Sequence, residues 1–220
     1  VIDIGLGRSP MLSFVAKYLE SCGAIMGTGS HSRSNHNGFK IMKGKIPFFG
    51  KDILDIGARG NNGNWNYSEG SKSDYSINDK YIGTLLKSLK IDKINPNIKV
   101  VWDPGNGAAG EIVEKLVKLL PGKHILINSN IDGMFPAHHP DPTNAKNLEE
   151  IISIVKDKKF DLGLAFDGDG DRLGVVCPNK LAAPSWRDAW MNGVLLIYVL
   201  IVITNDILLR YHTLMEHHKE

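Results

Sequence analysis

Three carboxylates at alternating positions, Asp167, Asp169 and Asp171, are separated by Gly168 and Gly170 and followed by Arg172. They come straight after Leu162 to Phe166, a short apolar run with the signature of a buried strand. The glycines let the backbone fold until all three carboxylates converge on one point. Like charges that close repel unless a cation sits among them, and hard oxygen ligands suit Mg²⁺ or Ca²⁺. A solvated acidic turn is the alternative. An EF-hand is excluded, because position six of such a loop should be Gly and is Arg172, and position twelve should be Glu and is Pro178. With few protein ligands and an arginine beside them, the group is read as holding Mg²⁺ against a phosphate.

A second candidate spans Thr28-Gly29-Ser30-His31-Ser32-Arg33-Ser34-Asn35-His36-Asn37-Gly38-Phe39-Lys40. Small neighbours leave the Ser30 hydroxyl accessible, and His31, Arg33 and Lys40 could bring positive charge to a phosphate there. Ser, Asn and Gly are also ordinary loop residues, so a polar loop without chemistry stays open at this point. His36 alone is read as a loop histidine.

Two further strings imitate known sites. Gly105-x-Gly107-x-x-Gly110 follows an apolar run and resembles a dinucleotide fingerprint, with Asp132 downstream. Asp103 would direct a carboxylate at the pyrophosphate, and Asp132 falls in a loop, so the glycines are read as a tight strand-to-helix turn. In His138-His139-Pro140-Asp141-Pro142 the two histidines point to opposite sides of an extended segment. A shared metal is not expected there, and the loop is read as shaping or orienting something.

The elements that must position these groups follow from periodicity. Strands are expected at Val1–Ile4, Ala24–Met26, Ile41–Phe49, Asn97–Asp103, Ile125–Asn128 and Leu162–Phe166. Helices are expected at Met11–Cys22, Gly50–Ile56, Ile77–Leu89, Glu111–Leu120 and from an Asn144 cap to Asp157. The Gly-, Asn- and Ser-rich stretch Gly57–Ser76 is read as an inter-domain linker, pinned by Trp65, Tyr67 and Tyr75. Strand–helix alternation implies a parallel sheet whose ligands bind at strand C-terminal ends. At 220 residues the chain allows one large or two smaller domains. A net charge of +2 gives no bulk electrostatic case for nucleic acid or an anionic membrane. Two distant cysteines, Cys22 and Cys177, fit a reducing cytosol. No apolar run is long enough to span a bilayer, Val194 to Ile203 being the longest, and no basic stretch marks a secretory signal. A start within a strand, without Met, is the expectation for a fragment.

Together these residues resemble the α-D-phosphohexomutase family, most closely its bacterial phosphomannomutase/phosphoglucomutase branch. Thr28 to His31 and Asn37 to Lys40 are similar to its phosphoserine loop, and Asp167 to Arg172 to its metal loop. Asp103 to Gly110 and Ala137 to Pro142 are similar to its second domain. The resemblance covers about residues 1–176. It implies α/β architecture in two consecutive three-layer domains with mixed or parallel sheets: a partial first domain at 1–76, a second at 77–176, and an atypical tail at 177–220. It implies an intramolecular phosphotransferase of the cytoplasm, moving a phosphoryl group between C1 and C6 of a mannose or glucose phosphate through a bisphosphate intermediate. Ser30 would carry the phosphoryl group, and Asp167, Asp169 and Asp171 would hold Mg²⁺ with a phosphoserine oxygen. Lys40 would be the general acid/base, its pKa lowered by burial beside the metal and other cations. His31, Arg172 and Arg33 would bind and orient phosphate.

The sequence departs from that pattern in three ways. Ser32-Arg33 stands where relatives usually carry Asn-Pro, and losing a proline loosens such a loop. The first domain's opening strands and active-site arginine loop are not present. From Cys177 to Glu220 no third-domain motif follows, and Trp186 and Trp190 crowd beside the Val194–Ile203 run. That tail is read as an out-of-frame or degraded continuation, or else as an added helix packed on the second domain. A second chain supplying the missing domains, or a non-catalytic remnant binding Mg²⁺ or a partner, are the corresponding expectations.

Overall fold

The structure is a computed structural model, and it describes residues 1–32, 35–63, 65–89, 94–178 and 180–182. Within them the chain is an α/β protein with mixed sheets. Arg33 and residues 183–220, with Trp186, Trp190 and the Val194–Ile203 run, lie outside the described residues.

The first half is built on α1 (Ser9–Tyr18), which carries Pro10 in its first turn, where a missing N–H costs nothing. Two apolar stripes run along it. Leu12 and Ala16 pack with Met42, Ala24 and Met26 of an antiparallel sheet. Met11 and Val15 join Ile77, Tyr81, Ile82, Leu85, Ile112 and Leu116, from elements later in the chain. The sheet has strand order β2 (Gly23–Thr28), β3 (Gly38–Lys43), β4 (Ile46–Phe48). A second, two-stranded sheet pairs β1 (Ile2–Asp3) in parallel with β5 (Ser73–Asp74).

Four sequence expectations change here. The run Ile41–Phe49, expected as one strand, is a hairpin broken at Gly44-Lys45, where Lys43 pairs with Ile46 and Gly44 adopts φ +56°. Since β3 already begins at Gly38, Lys40 sits on a strand opposite Met26 rather than in the preceding loop. Alternation then places Lys40 on the same face as Met42, towards α1. The helix expected over Gly50–Ile56 extends as α2 (Lys51–Asn61), and the supposed linker also supplies β5.

In the second half, β6 (Lys99–Asp103), β7 (Lys123–Leu126) and β8 (Leu162–Phe166) are parallel, and β9 (Leu173–Cys177) and β10 (Lys180–Ala182) continue antiparallel. The sheet order is β10-β9-β8-β6-β7. The chain steps outward from β6 to β7 through α4 (Gly110–Val117), then back past β6 to β8 through α5 (Glu149–Asp157). Right-handed crossovers in opposite directions put the two helices on opposite faces. Thus Val100, Trp102, Leu164 and Phe166 pack with Val113, while Val101, Ala165 and Val176 pack with Ile151 and Val155. Asn144 does cap, accepting from the Lys146 amide, but a 3₁₀ turn, Ala145–Leu148, precedes the α-helix. α3 (Asn78–Ser88) lies with α1 and α4 in the core shared by both halves. No described helix is long and apolar enough to cross a membrane.

The reversal between β6 and β8 is a switch point, where open α/β sheets bind ligands at strand C-terminal ends. Two loops meet there: Pro104–Ala109 after β6, and Asp167–Arg172, which closes the β8–β9 hairpin. Ile151, fully buried between α5 and the sheet, holds that frame. Ile151→Ala is expected to cost about 2–5 kcal/mol, read as a lower urea midpoint at unchanged m-value.

Candidate active site

Asp167, Asp169 and Asp171 each bring one carboxylate oxygen within 4.8 Å of the others. Asp167 and Asp169 are buried and Asp171 is half-buried. At an effective dielectric near 20, each ionised pair at that range repels by roughly 3–4 kcal/mol. The loop meets part of this cost with its own backbone: the amides of Asp171 and Arg172 both donate to Asp167 Oδ1 at 3.0 Å. Gly168 is required by close approach, because a Cβ there would overlap the Ser30 carbonyl oxygen. A Cβ on Gly107 would likewise come within 2.7 Å of the Gly168 carbonyl. That carbonyl accepts the Ala108 amide at 2.8 Å, so the glycine turn after β6 seats the acidic loop.

The first half delivers its groups to the same point. Ser30, just beyond the end of β2, has φ +49°, a left-handed conformation that a non-glycine residue holds only when its surroundings fix it. Its amide donates to Thr28 Oγ1 at 3.0 Å and its hydroxyl to Asp167 Oδ2 at 3.1 Å. The Ser32 amide donates to the Gly29 carbonyl at 2.8 Å, closing a tight turn around Ser30 and His31. His31 Nδ1 lies 3.3 Å from Ser30 Oγ, and Arg172 Nη2 lies 3.4 Å from His31 Nε2. A guanidinium only donates, so Nε2 accepts and Nδ1 carries the proton towards Ser30. A directed chain runs Arg172 to His31 to Ser30 to Asp167.

Lys40 Nζ lies 2.8 Å from Asp169 Oδ2 and 2.6 Å from Asp171 Oδ2, and donates to Ser9 Oγ at 2.7 Å. Ser9 Oγ and Thr28 Oγ1 also donate to Asp169 Oδ2, at 2.6 and 2.8 Å. Ser9 had no role in the sequence reading. Its only signal was its place before Pro10 at a helix start, which marks many residues without function. Arg8 was missed too. Its buried guanidinium donates to the Tyr81 hydroxyl at 2.6 Å and lies over that ring, while its Cδ and Cγ come within 3.0 and 3.3 Å of where a Cβ on Gly170 would stand. The structure thus brings Ser30, His31, Lys40, Asp167, Asp169, Asp171 and Arg172 together. Arg33 is outside the described residues.

These contacts set the charges. Burial, then repulsion from Asp169, pushes the Asp167 carboxyl up to about 7, against the Arg172 amide and the Ser30 hydroxyl. Burial would raise Asp169 as well, but hydrogen bonds from Lys40, Ser9 and Thr28 outweigh it and hold that group below the usual carboxylate range. For Lys40 the protein's own groups pull in opposite directions. Burial does lower its pKa, yet the Asp169 and Asp171 carboxylates more than offset this, and the net shift is upward. Among the described residues two buried side-chain polar atoms have no partner, Arg8 Nε and, within the acidic cluster, Asp169 Oδ1, which accepts no hydrogen bond. An acceptor stranded beside two other carboxylates fits a divalent cation with oxygen ligands.

A carboxyl raised in the native state costs stability as it ionises, so stability falls as pH rises from the unfolded value near 3.8 through about 7. Asp169, shifted the other way, contributes stability that is lost only in strong acid. In chelator, the midpoint of thermal unfolding is expected to fall as pH rises from about 4 to about 7 and then to level, and Asp167→Asn to flatten most of that slope.

The chain matches two family models: Phosphoglucomutase/phosphomannomutase, alpha/beta/alpha domain I, at residues 1–62, and the corresponding domain II at residues 79–180. It is 39% identical over 176 residues to a phosphomannomutase/phosphoglucomutase of Pseudomonas putida, covering 80% of this chain and 37% of that one. To a phosphoglucomutase of Neisseria meningitidis it is 36% identical over 180 residues, covering 80% and 38%. The crystal structure of a phosphoglucomutase/phosphomannomutase family protein from Burkholderia thailandensis superposes with TM-score 0.75 at 34% identity, covering 81% of this chain and 40% of that one. The chain therefore spans under two fifths of the length of these curated relatives.

Proposed function

The chain belongs to the phosphoglucomutase/phosphomannomutase family, and from that premise we propose that it carries the phosphoserine and metal half of a phosphohexomutase site. The reaction is transfer of a phosphoryl group between C1 and C6 of a mannose or glucose phosphate, by way of the sugar bisphosphate. The observation that supports this most is the meeting of the Ser30 hydroxyl with Asp167, 3.1 Å apart, at the mouth of a three-carboxylate cluster.

In this reading Ser30 Oγ takes the phosphoryl group from a bisphosphorylated sugar. The O–P bond to Ser30 forms as the sugar O–P bond breaks, and the hydroxyl proton leaves towards the carboxylates. His31, held by Arg172, presents Nδ1–H to the serine oxygen and to the negative charge that gathers there. Lys40, an ammonium between Asp169 and Asp171, is the group able to give a proton to the departing sugar oxygen and retrieve it on return. A Mg²⁺ bound by Asp167, Asp169 and Asp171 would supply positive charge to the phosphoryl oxygens and relieve the carboxylates that keep Lys40 protonated. Fixing these groups before substrate arrives is most of what phosphoryl transfer asks of a protein.

A second reading is a non-catalytic fragment that binds Mg²⁺ or a partner chain. It draws on the exposure of Ile25, Phe39, Ile46, Ile53 and Leu54 on β2, β3, β4 and α2, apolar surface suited to a further polypeptide layer. A chain supplying the rest of the sugar cleft would cover such a surface.

Intact mass and peptide mapping after incubation with glucose 1,6-bisphosphate and Mg²⁺ separate the two. The mutase reading expects one phosphate on Ser30, and none in Ser30→Ala. A folded sample that takes up none, or a Ser30→Ala variant that is still labelled, overturns it. Asp169→Asn is expected to weaken Mg²⁺ binding by about tenfold or more, ~1.4 kcal/mol or above, measured by calorimetry.

A further inference from the structure

The His138 motif has no part in the mechanism above, yet it lies directly behind the acidic loop. The Asp103 side chain is fully buried at the end of β6 and accepts from the Gly105 amide at 2.9 Å and from Asn128 Nδ2 at 3.2 Å. His138 Nε2 sits 2.9 Å from its other oxygen. The second ring nitrogen, Nδ1, is 3.0 Å from the His139 carbonyl oxygen. Both neighbours only accept, so each nitrogen must carry a hydrogen. A ring that donates on both sides is an imidazolium, paired with a buried carboxylate.

The ring is also a spacer. A Cβ on Gly105 would stand 3.2 Å from His138 Cε1 and 3.4 Å from Pro140 Cβ. Pro140 in turn lies against Gly168, 3.4 Å from where a Cβ would be, and Gly168 backs the Ser30 carbonyl. The same stretch is anchored at Ala137 by Asn106 and at Asp141 by Asn147, both through neutral hydrogen bonds. His138 is its charged anchor.

We propose that His138 is a positioning residue whose imidazolium, clamped between Asp103 and the His139 carbonyl, presses Pro140 against Gly168 and so fixes the acidic loop beneath Ser30. This rests on the reading of Asp167–Arg172 as the metal loop. The charged groups facing the ring are Asp103 on β6 and Glu150 on α5, the latter through Asn128. From its own loop come His139 and Asp141, whose carboxylate is turned to Thr143. The Asp103 hydrogen bond raises the ring's pKa above its usual 6.5, against burial, which lowers it. A raised pKa means that the clamp is complete below about 6.5 and is lost as pH rises through the native value.

Two measurements on the full chain test this without Mg²⁺ or phosphate. Ring nitrogen shifts, with the His138 signals assigned by their loss in His138→Gln, should show both nitrogens protonated at pH 7. Exchange of the Ala108 amide, which donates to Gly168, should quicken about tenfold beyond its intrinsic pH dependence as His138 deprotonates, while the Phe160 amide is unchanged. In His138→Gln that pH dependence should disappear, and in Asp103→Asn, which lowers the ring's pKa, it should move to lower pH. A ring carrying a single proton at pH 7, or a titration that leaves Ala108 unmoved in the wild-type protein, overturns the proposal. Neither result depends on whether Ser30 takes up phosphate, so the two readings fail separately.

Discussion

One carboxylate oxygen joins the two halves of this chain. Asp169 Oδ2 accepts from Ser9, Thr28 and Lys40, which come from α1, β2 and β3, while Asp169 itself belongs to the β8–β9 hairpin. Its backbone carbonyl also accepts the Ser9 amide, at 2.9 Å. Hydrogen bonds to a buried, ionised acceptor are among the stronger ones proteins make, and removing a partner from such a group costs more than the bond itself returned. The docking of Ser30 on Asp167 and of Arg172 on His31 follows from this joint, since both need the first-half loop held against the second-half hairpin. The apolar core shared by α1, α3 and α4 supplies bulk adhesion behind it. Hydrophobic contact is non-directional, and the Asp169 cluster is what gives the contact its register.

The geometry of the fold explains why the joint lies where it does. Reversal of crossover direction between β6 and β8 opens a crevice at their C-terminal ends, and both connections there are glycine-rich. Glycine in these turns serves backbone-to-backbone approach: Ala108 reaches the Gly168 carbonyl and Gly168 reaches Ser30. Three layers of main chain therefore stack without side chains between them, and the reactive groups project from the rim of that stack. A site assembled in this way tolerates little displacement, because each layer locates the next.

Much of this was legible in the sequence for physical reasons. Alternating Asp and Gly after a short apolar run has few uses, and strand–helix alternation in the second half constrains the sheet strongly. In the sequence Lys40 closes the polar segment that starts at Thr28 and so reads with it, and only cross-strand pairing with Met26 shows that it lies on the α1 face. Ser9 and Arg8 could not be found, since their importance comes from Asp169 and Tyr81, more than seventy positions away. The direction of the Lys40 shift was likewise beyond the sequence. Burial was foreseeable, whereas two carboxylates within 3 Å of the ammonium were not.

The same charges show how such a cluster can exist at all. Were all three carboxylates ionised, they would face one ammonium, in contact with Asp169 and Asp171, and one guanidinium whose Nε stands 3.9 Å from Asp167, leaving the group one positive charge short. Burial first, and then repulsion within this deficit, keeps a proton on Asp167 up to about 7. A divalent cation would more than close the deficit, releasing that proton and weakening the hold on Lys40 at once. Proton and metal thus compete for one deficit. Asp169 Oδ1, buried beside that deficit without a hydrogen-bond partner, is left unsatisfied by a proton on Asp167, and a shared cation would satisfy it.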